Sequence, residues 1–511
     1  MKGTRKFQLT AFRVPPLGGS GGFSRISNSA ASVAAVILAL MLLGLGASRL
    51  VYPFDVGHYE ACIWTPSMLS AQGNNPYAFS LQPPFVMAPY GYGYYLLVGL
   101  GLRAFGLQLW FGRALTILAA AVCLVCVVRI AFTLTRNRQA VWLAALSFLS
   151  AITLHHWLGV HRPDLPALAV AFAGLALIFH LTNQPDQDGR ITPRAGLAVL
   201  LLAGAFFFKQ TAILPAAVAV ALCWQTGRRK LALFIAGTGL VFAAAAMLIL
   251  NQTSDGQYFW QHFTLMQQVP HSYATSWRWV MSIFRTPAMW IIAGIIGVAL
   301  LVEIRRRTWE RSAFLRINAI DPRLLVILHF IGAAIFGFVT SARQGSYISY
   351  HLETFIVGSI VVALAWDSLS RFVDRPLIYR GLVVALLLAG GFQLIRQARG
   401  EVLRWRSLPY YREIVATLRR EMPPHSLGIS VHPELMTAAG HDYHFGDWNQ
   451  YEDGRSAQLH QVFLDAVASK RYAAIVWLRD NAAAEFPGYH LAPMKQPLPQ
   501  GYYPVFLYLR D

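Results

Sequence analysis

Long apolar runs separated by short polar or basic segments make up most of this chain. They fall at roughly 32–51, 91–106, 110–133, 140–158, 164–182, 195–208, 211–225, 231–250, 287–302, 324–340, 354–368 and 381–395. Runs of this length, wound as helices, can cross a hydrocarbon core of ~30 Å. The pattern predicts an α-helical polytopic membrane protein. The first run is uncharged until Arg49 and has no small-residue cleavage site, which predicts a retained anchor rather than a removed signal peptide.

Topology follows from the basic residues. Lys2, Arg5, Lys6, Arg13 and Arg25 precede the first run with no acid among them. Arg136 and Arg138, Arg228 to Lys230, Arg305 to Arg307 with Arg311 and Arg316, and Arg371 with Arg375 and Arg380 sit in short loops between runs. If every run crosses, these clusters fall on both sides of the membrane. If one early run does not, all fall on the cytoplasmic side, as the positive-inside rule expects. The segment 91–106 is short, glycine-rich, aromatic at its start and carries Arg103, as an interfacial or re-entrant helix would. The expectation is about eleven spans plus external juxtamembrane helices, with the N-terminus inside and the C-terminus outside. Residues 1–31 form a cytoplasmic tail, 32–396 the membrane domain with a first external loop at 52–109, and 397–511 an external domain.

The tail reads as a small α/β domain. Tyr410, Ile414 and Leu418 give a helical period over 409–422. Strand-like runs lie at 427–431, 472–478 and 503–509, with a helical pattern at 456–469.

Composition narrows the class. With 511 residues, 56% hydrophobic, 13% charged and a mean hydropathy of +0.44, the chain is not an ordinary soluble enzyme. Its net charge of +19 comes from the topological clusters, so nucleic acid is not the partner. Cys123 and Cys126 have the CxxC spacing, but no second pair or nearby histidine completes a zinc site, and both read as helix-packing residues.

The predicted topology gathers unusual polarity on the external side: Asp55, Glu60, His155, His156, His161, Arg162, Asp164, Lys209, Gln210, Arg343, Tyr347, Tyr350, His351 and Glu353. Charge at a membrane surface is costly and is functional by default. Asp55, in YPFDVGHYE beside His58 and Tyr59, is placed to act as a general base; the alternative is a helix cap or a partner for Arg49. Glu60 caps or positions. Asp164 in HRPD suits a helix N-terminus behind Pro163, while His161 and Arg162 could bind phosphate or orient a sugar. Lys209 snorkels or contacts phosphate. Trp277 and Trp279 are read as interfacial. In the tail, His432, Glu434, His441, His444 and Asp447 are metal-ligand types without a standard spacing, and are read as solvated surface or acceptor binding.

An acidic first external loop, cations on the same face and a soluble external tail together resemble the GT-C glycosyltransferases, in particular bacterial relatives of protein O-mannosyltransferases and aminoarabinose transferases. FDVGHYE followed by GNNPY (73–77) is similar to that family's first-loop motif. APYGYGYYLLVGLGLRAFG (88–106) resembles its external juxtamembrane helices, and HRPD, the Lys209 motif and GSYISYHLE (345–353) are similar in kind and order to later motifs. The likeness covers about 50–360 well and the tail loosely; a departure is that many relatives place the second acid directly beside the first. The resemblance implies transfer of a sugar from a polyprenyl-phosphate donor, with inversion, to an acceptor hydroxyl on a lipid, glycan or protein. Asp55 would be the base, with Glu60 and Asp164 as supporting acids. Lys209, Arg162 and Arg343 would hold the donor phosphate, with Arg49 behind them. Substrate contacts would come from His58, Tyr59, His161, Gln210, Tyr347, Tyr350, His351 and Glu353. No acidic cluster demands a metal, and a divalent cation is compatible with the pattern. The rival class is a transporter or flippase for a lipid-linked sugar; transporters carry midplane polarity and often repeats, whereas here the charges lie at one face and no repeat is visible.

Overall fold

The computed structural model describes residues 21–56, 60–184, 191–309, 321–343, 346–372, 376–445, 457–478, 486–496 and 505–511. The first helix, α1 (Gly21–Val51), leads through a turn into α2 (Ala61–Ala71) and α3 (Tyr92–Phe105). There follow α4 (Trp110–Thr135), α5 (Arg138–Leu149), α6 (Ile152–Trp157), α7 (Asp164–Thr182), α8 (Pro193–Phe208), α9 (Leu214–Gln225) and α10 (Arg229–Gln252). Short turns α11 (Gln257–Phe259) and α12 (Leu265–Gln268) precede α13 (Tyr273–Phe284), α14 (Pro287–Trp309), α15 (Pro322–Thr340), α16 (Leu352–Leu369) and α17 (Pro376–Glu421).

Among the described residues, seven helices are long and apolar enough to cross a membrane: α1, α4, α7, α10, α15 and α17, and α16 with the 3₁₀ turn before it. An eighth is made by α13 and α14 if they are taken as one span bent by 89°. The expected spans at 195–208 and 211–225 are the shorter apolar helices α8 and α9. The segment 91–106, expected not to cross, is α3, whose 14 residues reach only about 21 Å. The predicted run 140–158 is two helices. The break falls at Ser150 and Ala151, the latter extended at ψ 124, and α6 ends at Trp157. The carbonyls of His155, His156 and Leu158 at that end are taken up by Arg49, as described below.

The helices sort by enclosure. The apolar window of α16 is 83% buried and that of α10 only 6%, so α16 is central and α10 peripheral. Small residues allow the close contacts this needs. A Cβ on Gly174 of α7 would lie 2.8 Å from Leu202 of α8, and one on Gly99 of α3 would lie 2.8 Å from the Ser67 carbonyl of α2.

Position 397 lies inside a helix. Helix α17 runs unbroken for 46 residues, about 69 Å, so the apolar segment at 381–395 and the amphipathic segment at 409–422 are one rod. Pro409 lies inside it without ending it. The rod delivers the chain to a five-stranded sheet built from β1 (Leu427–Ser430), β2 (Asp442–His444), β3 (Ala474–Trp477), β4 (Tyr489–Leu491) and β5 (Phe506–Arg510), in the order β2-β1-β3-β5-β4. The β1 strand is parallel to β2 and β3, while β5 is antiparallel to β3 and β4. Helices α18 (Pro433–Ala439) and α19 (Ala457–Ala468) cover it. The three strands and the helix over 456–469 expected from the sequence are present. The two additional strands have three residues each, too short to show a period of two.

Where α1, α6 and α17 meet, Arg49 Nε donates to Glu401 Oε1 at 2.8 Å, and its Nη1 donates to the carbonyls of His155, His156 and Leu158 at 3.0, 3.0 and 2.6 Å. Arg404 pairs with the other oxygen of Glu401 and donates to the Val56 carbonyl at 2.9 Å. One buried carboxylate therefore serves two buried guanidinium groups. Removing it as Glu401→Ala is expected to cost about 3–5 kcal/mol, read as a lower apparent Tm of the detergent-solubilised protein. Glu401→Gln, which keeps an acceptor, is expected to cost less.

Candidate active site

The turn after α1 is held from inside. Arg113, in the first turn of α4, is fully buried. Its Nε and Nη2 donate to Glu60 Oε1 and Oε2 at 2.9 and 2.5 Å. Its remaining donors go to the carbonyls of Arg49 at 2.8 Å, Tyr52, and Phe54 at 2.5 Å. Glu60 also accepts from the backbone N–H of Val56 at 3.0 Å and of His161 at 2.6 Å. Burial alone would push the Glu60 carboxyl up; the Arg113 charge and these donors outweigh it and hold the group below its usual range. Glu60 therefore positions the loop, and Asp55 is fixed by it. The Glu60 N–H donates to Asp55 Oδ2 at 3.0 Å, and the Asp55 N–H donates to Glu434 Oε1 at 3.1 Å.

A second cluster adjoins through the segment 159–164. Asp164, at the start of α7, pairs with Lys209 through Oδ1 and with Arg162 Nε through Oδ2 at 3.4 Å, and is hydrogen-bonded to Ser349. Lys209 sits there because α8 ends at Phe208 and turns to extended backbone. Arg162 bonds the Tyr90 hydroxyl and lies 5.0 Å from the ring centroids of both Tyr90 and Trp157. The Lys209 ammonium is 4.5 Å from the Tyr350 ring centroid. Two cations thus face one carboxylate inside an aromatic wall, an excess of positive charge suited to a phosphate.

His161 joins the clusters. Its ring lies 5.8 Å from Tyr94 and occupies the space over Gly112, where a Cβ would come within 2.1 Å of it. Neither ring nitrogen has a hydrogen-bond partner, and burial pushes the imidazole down to about 4, so it is neutral near pH 7.

Of the residues picked out in the sequence, the structure brings together Asp55, Glu60, His161, Arg162, Asp164, Lys209 and Tyr350. Tyr347 packs against His156, Trp157 and Trp279 in tilted and edge-on contacts at centroid distances of 5.0, 5.5 and 4.5 Å, so it backs the Arg162 wall. Trp279, expected in the interface, is part of this packing, whereas Trp277 is exposed. Gln210 is hydrogen-bonded to Tyr258. Three residues lie elsewhere. Arg343 is exposed, 3.3 Å from His271 Nε2. His351 is buried against Gly337. Glu353 accepts from His329 at 2.7 Å between α15 and α16. Arg49, expected behind the phosphate-binding cations, is committed to Glu401 and three carbonyls, and so is not the partner of Asp55. His58, Tyr59 and Asp447 lie outside the described residues.

The tail residues require a correction. His432, Glu434 and His441 are buried, not solvated. They are enclosed because α18 folds down onto the first loop and α17. Among the described residues no group of three histidines, cysteines or acids gathers to hold a metal. Cys123 and Cys126 are buried and free, as packing residues would be. Arg113, like Glu401 and Arg404, is a residue that sequence reasoning missed, although an arginine in the first turn of a long apolar run was its signal.

The fold has counterparts among solved structures. The chain is similar to the crystal structure of ArnT from Cupriavidus metallidurans in the apo state, with a TM-score of 0.63 and 15% identity over 94% of this chain and 98% of that one. It is also similar to the crystal structure of ArnT from Cupriavidus metallidurans bound to undecaprenyl phosphate, with a TM-score of 0.61 and 14% identity over 93% and 97%. At these identities the likeness is one of fold. No protein-family model matches the sequence. No curated protein matches it either.

Arg113→Lys tests the clamp. A lysine keeps the charge but offers three donors from one atom against five in a fixed fork. Hydrogen exchange at the backbone amides of 52–60 is expected to rise about tenfold or more, corresponding to loss of ~1.4 kcal/mol of local stability, with little change in α19.

Proposed function

We propose that the protein is an inverting glycosyltransferase that moves a sugar from a polyprenyl-phosphate donor to an acceptor hydroxyl. The observation that carries this reading is the meeting of the Asp55 loop with the Arg162–Lys209 cation cluster at one end of a GT-C fold. The undecaprenyl phosphate named for the ArnT structure supports a lipid phosphate as the group those cations face.

In this reading Asp55 takes the proton of the acceptor hydroxyl as its oxygen attacks the anomeric carbon. The bond from that carbon to the phosphate oxygen breaks, and the electron pair leaves with the polyprenyl phosphate. Arg162 and Lys209 offset the growing charge on the phosphate in a site walled by Tyr90, Trp157 and Tyr350. Burial lowers and the neighbouring Tyr90 and Asp164 raise the Arg162 pKa, with a net rise, so the guanidinium stays charged throughout. Glu60 and Asp164 hold cations and do not exchange protons in the step. His161, with both ring nitrogens unpartnered, is the polar group offered to the sugar. A divalent cation is not required by this scheme. The enzyme resides in the inner membrane with its N-terminus cytoplasmic, so that the site and the C-terminal domain face outward.

The test is transfer by the purified protein in nanodiscs, with polyprenyl-phosphate sugars and a crude envelope acceptor fraction. Asp55→Asn is expected to bind donor and lose at least about 100-fold in turnover. Lys209→Ala is expected to weaken donor binding by about tenfold or more. Full activity of Asp55→Asn would remove the assignment of the base. Donor movement across liposomes without transfer would favour a transporter.

A further inference from the structure

The C-terminal domain meets the first loop at several points, with the Tyr443 hydroxyl 3.1 Å from that of Thr65 and the Phe445 N–H donating to the Pro84 carbonyl at 3.0 Å, and it reaches Asp55 through Glu434, which is paired with His432. His432 ends the segment after β1, and Glu434 lies in the first turn of α18. Glu434 Oε1 accepts from His432 Nδ1 at 3.0 Å and from the Asp55 backbone N–H at 3.1 Å. Both side chains are buried, with residue exposures of 3% for His432 and 6% for Glu434. The His432 N–H is fixed by the Ser430 hydroxyl at 3.1 Å, while its Nε2 has no hydrogen-bond partner.

Two buried acids are therefore joined through the Asp55 backbone N–H. Without a counter-charge, Glu434 would make ionisation of Asp55 costly. The histidine supplies that counter-charge. Burial opposes a charged imidazole; Glu434, by charge and hydrogen bond, and then Asp55 outweigh it, so the ring is held above its ordinary range. The groups facing the ring are Glu434 from α18, Asp55 from the loop and Tyr411 from α17, at a centroid distance of 6.3 Å, while the Ser430 hydroxyl, at the end of β1, accepts the backbone N–H of His432. Of the nearby cations, Arg404 pairs with Glu401 and bonds the Val56 carbonyl, and Arg113 is bonded to Glu60 and also interacts with Asp55 by charge.

We propose that the C-terminal domain completes the active site, with His432 and Glu434 as positioning residues that fix the Asp55 backbone and keep its carboxylate ionised. This rests on the glycosyl-transfer reading, with Asp55 as base.

The experiment compares pH profiles of kcat/KM for the full-length protein in nanodiscs, using whichever polyprenyl-phosphate pentose or hexose the wild type turns over. The variants are His432→Gln and the double variant His432→Gln/Glu434→Gln, with Asp55→Asn as the control. His432→Gln keeps a donor to Glu434 but removes the positive charge. Its acid limb is expected to move up by about one pH unit, with donor KM little changed. The double variant removes both charges, and its limb is expected to return toward the wild-type position, which a merely structural pair would not produce. An unmoved limb in His432→Gln, or a double variant displaced as far as the single one, overturns the proposal and leaves Asp55 as base. A wild type that transfers nothing, or an active Asp55→Asn, overturns the parent reading and this one with it.

Thermal unfolding gives a readout that needs no substrate. A raised folded-state histidine pKa stabilises fully below the unfolded value of about 6.5 and loses that stabilisation as pH rises through the folded value. The wild-type Tm is expected to fall across that window more steeply than that of His432→Gln. Equal slopes overturn the charged-imidazole assignment.

Discussion

The Arg113 guanidinium is the group on which the loop geometry depends. A buried guanidinium costs several kcal/mol unless its charge and donors are met. Here all five donors are used, two on Glu60 and three on the carbonyls of Arg49, Tyr52 and Phe54. Those carbonyls belong to the end of α1 and the start of the first loop, where the helical ladder runs out, the Arg49 carbonyl also accepting the Tyr52 N–H at 3.2 Å. The arginine thus satisfies backbone that would otherwise have to reach water. In doing so it sets the path of the chain up to Asp55.

A second guanidinium repeats the logic at a different junction. Arg49 collects the carbonyls of His155, His156 and Leu158, and Glu401 ties it to Arg404 and through that residue to Val56. Three elements distant in sequence are therefore locked around residues 52–56: the end of α1, the α6 turn and the middle of α17. Because α17 continues without a break into the sheet domain, its orientation at Arg404 also sets where α18 falls. The placement of Glu434 against the Asp55 N–H is a consequence of that rigid rod. Domain and membrane helices share one polar network, and a flexible linker at 397 would not maintain it.

Much of this was legible in the sequence. Apolar run length marked most of the helices, and unusual charge marked Asp55, Glu60, Arg162, Asp164 and Lys209, because polarity among apolar runs stands out whatever the fold. Pairing was not legible. Arg113 and Glu60 are separated by more than fifty positions, as are Arg49 and Glu401 by many more, and nothing local tells which acid a given arginine meets. His432 and Glu434 looked like surface polarity because the tail around them reads as a soluble domain; only the descent of α18 onto the loop buries them. The splitting of 140–158 was hidden too, since Ser150 and Ala151 are ordinary in an apolar helix.

The same pairing separates the roles of the acids. Glu60 has both oxygens on Arg113 and two backbone donors besides, so protonating it would release a buried guanidinium. Asp164 has one oxygen on Lys209 and the other toward Arg162, so it holds in place the cations that a phosphate would meet. Neither carboxylate can take up a proton without collapsing the structure that orients the other groups. Asp55 is tied differently in what is described of it: its Oδ2 accepts the Glu60 N–H, its own N–H goes to Glu434, and it interacts by charge with Arg113 and His432. In the proposed reaction Asp55 is the acid that is ionised at rest and takes up the acceptor proton. Under that proposal the division between structural and reactive acids follows from where the arginines are spent.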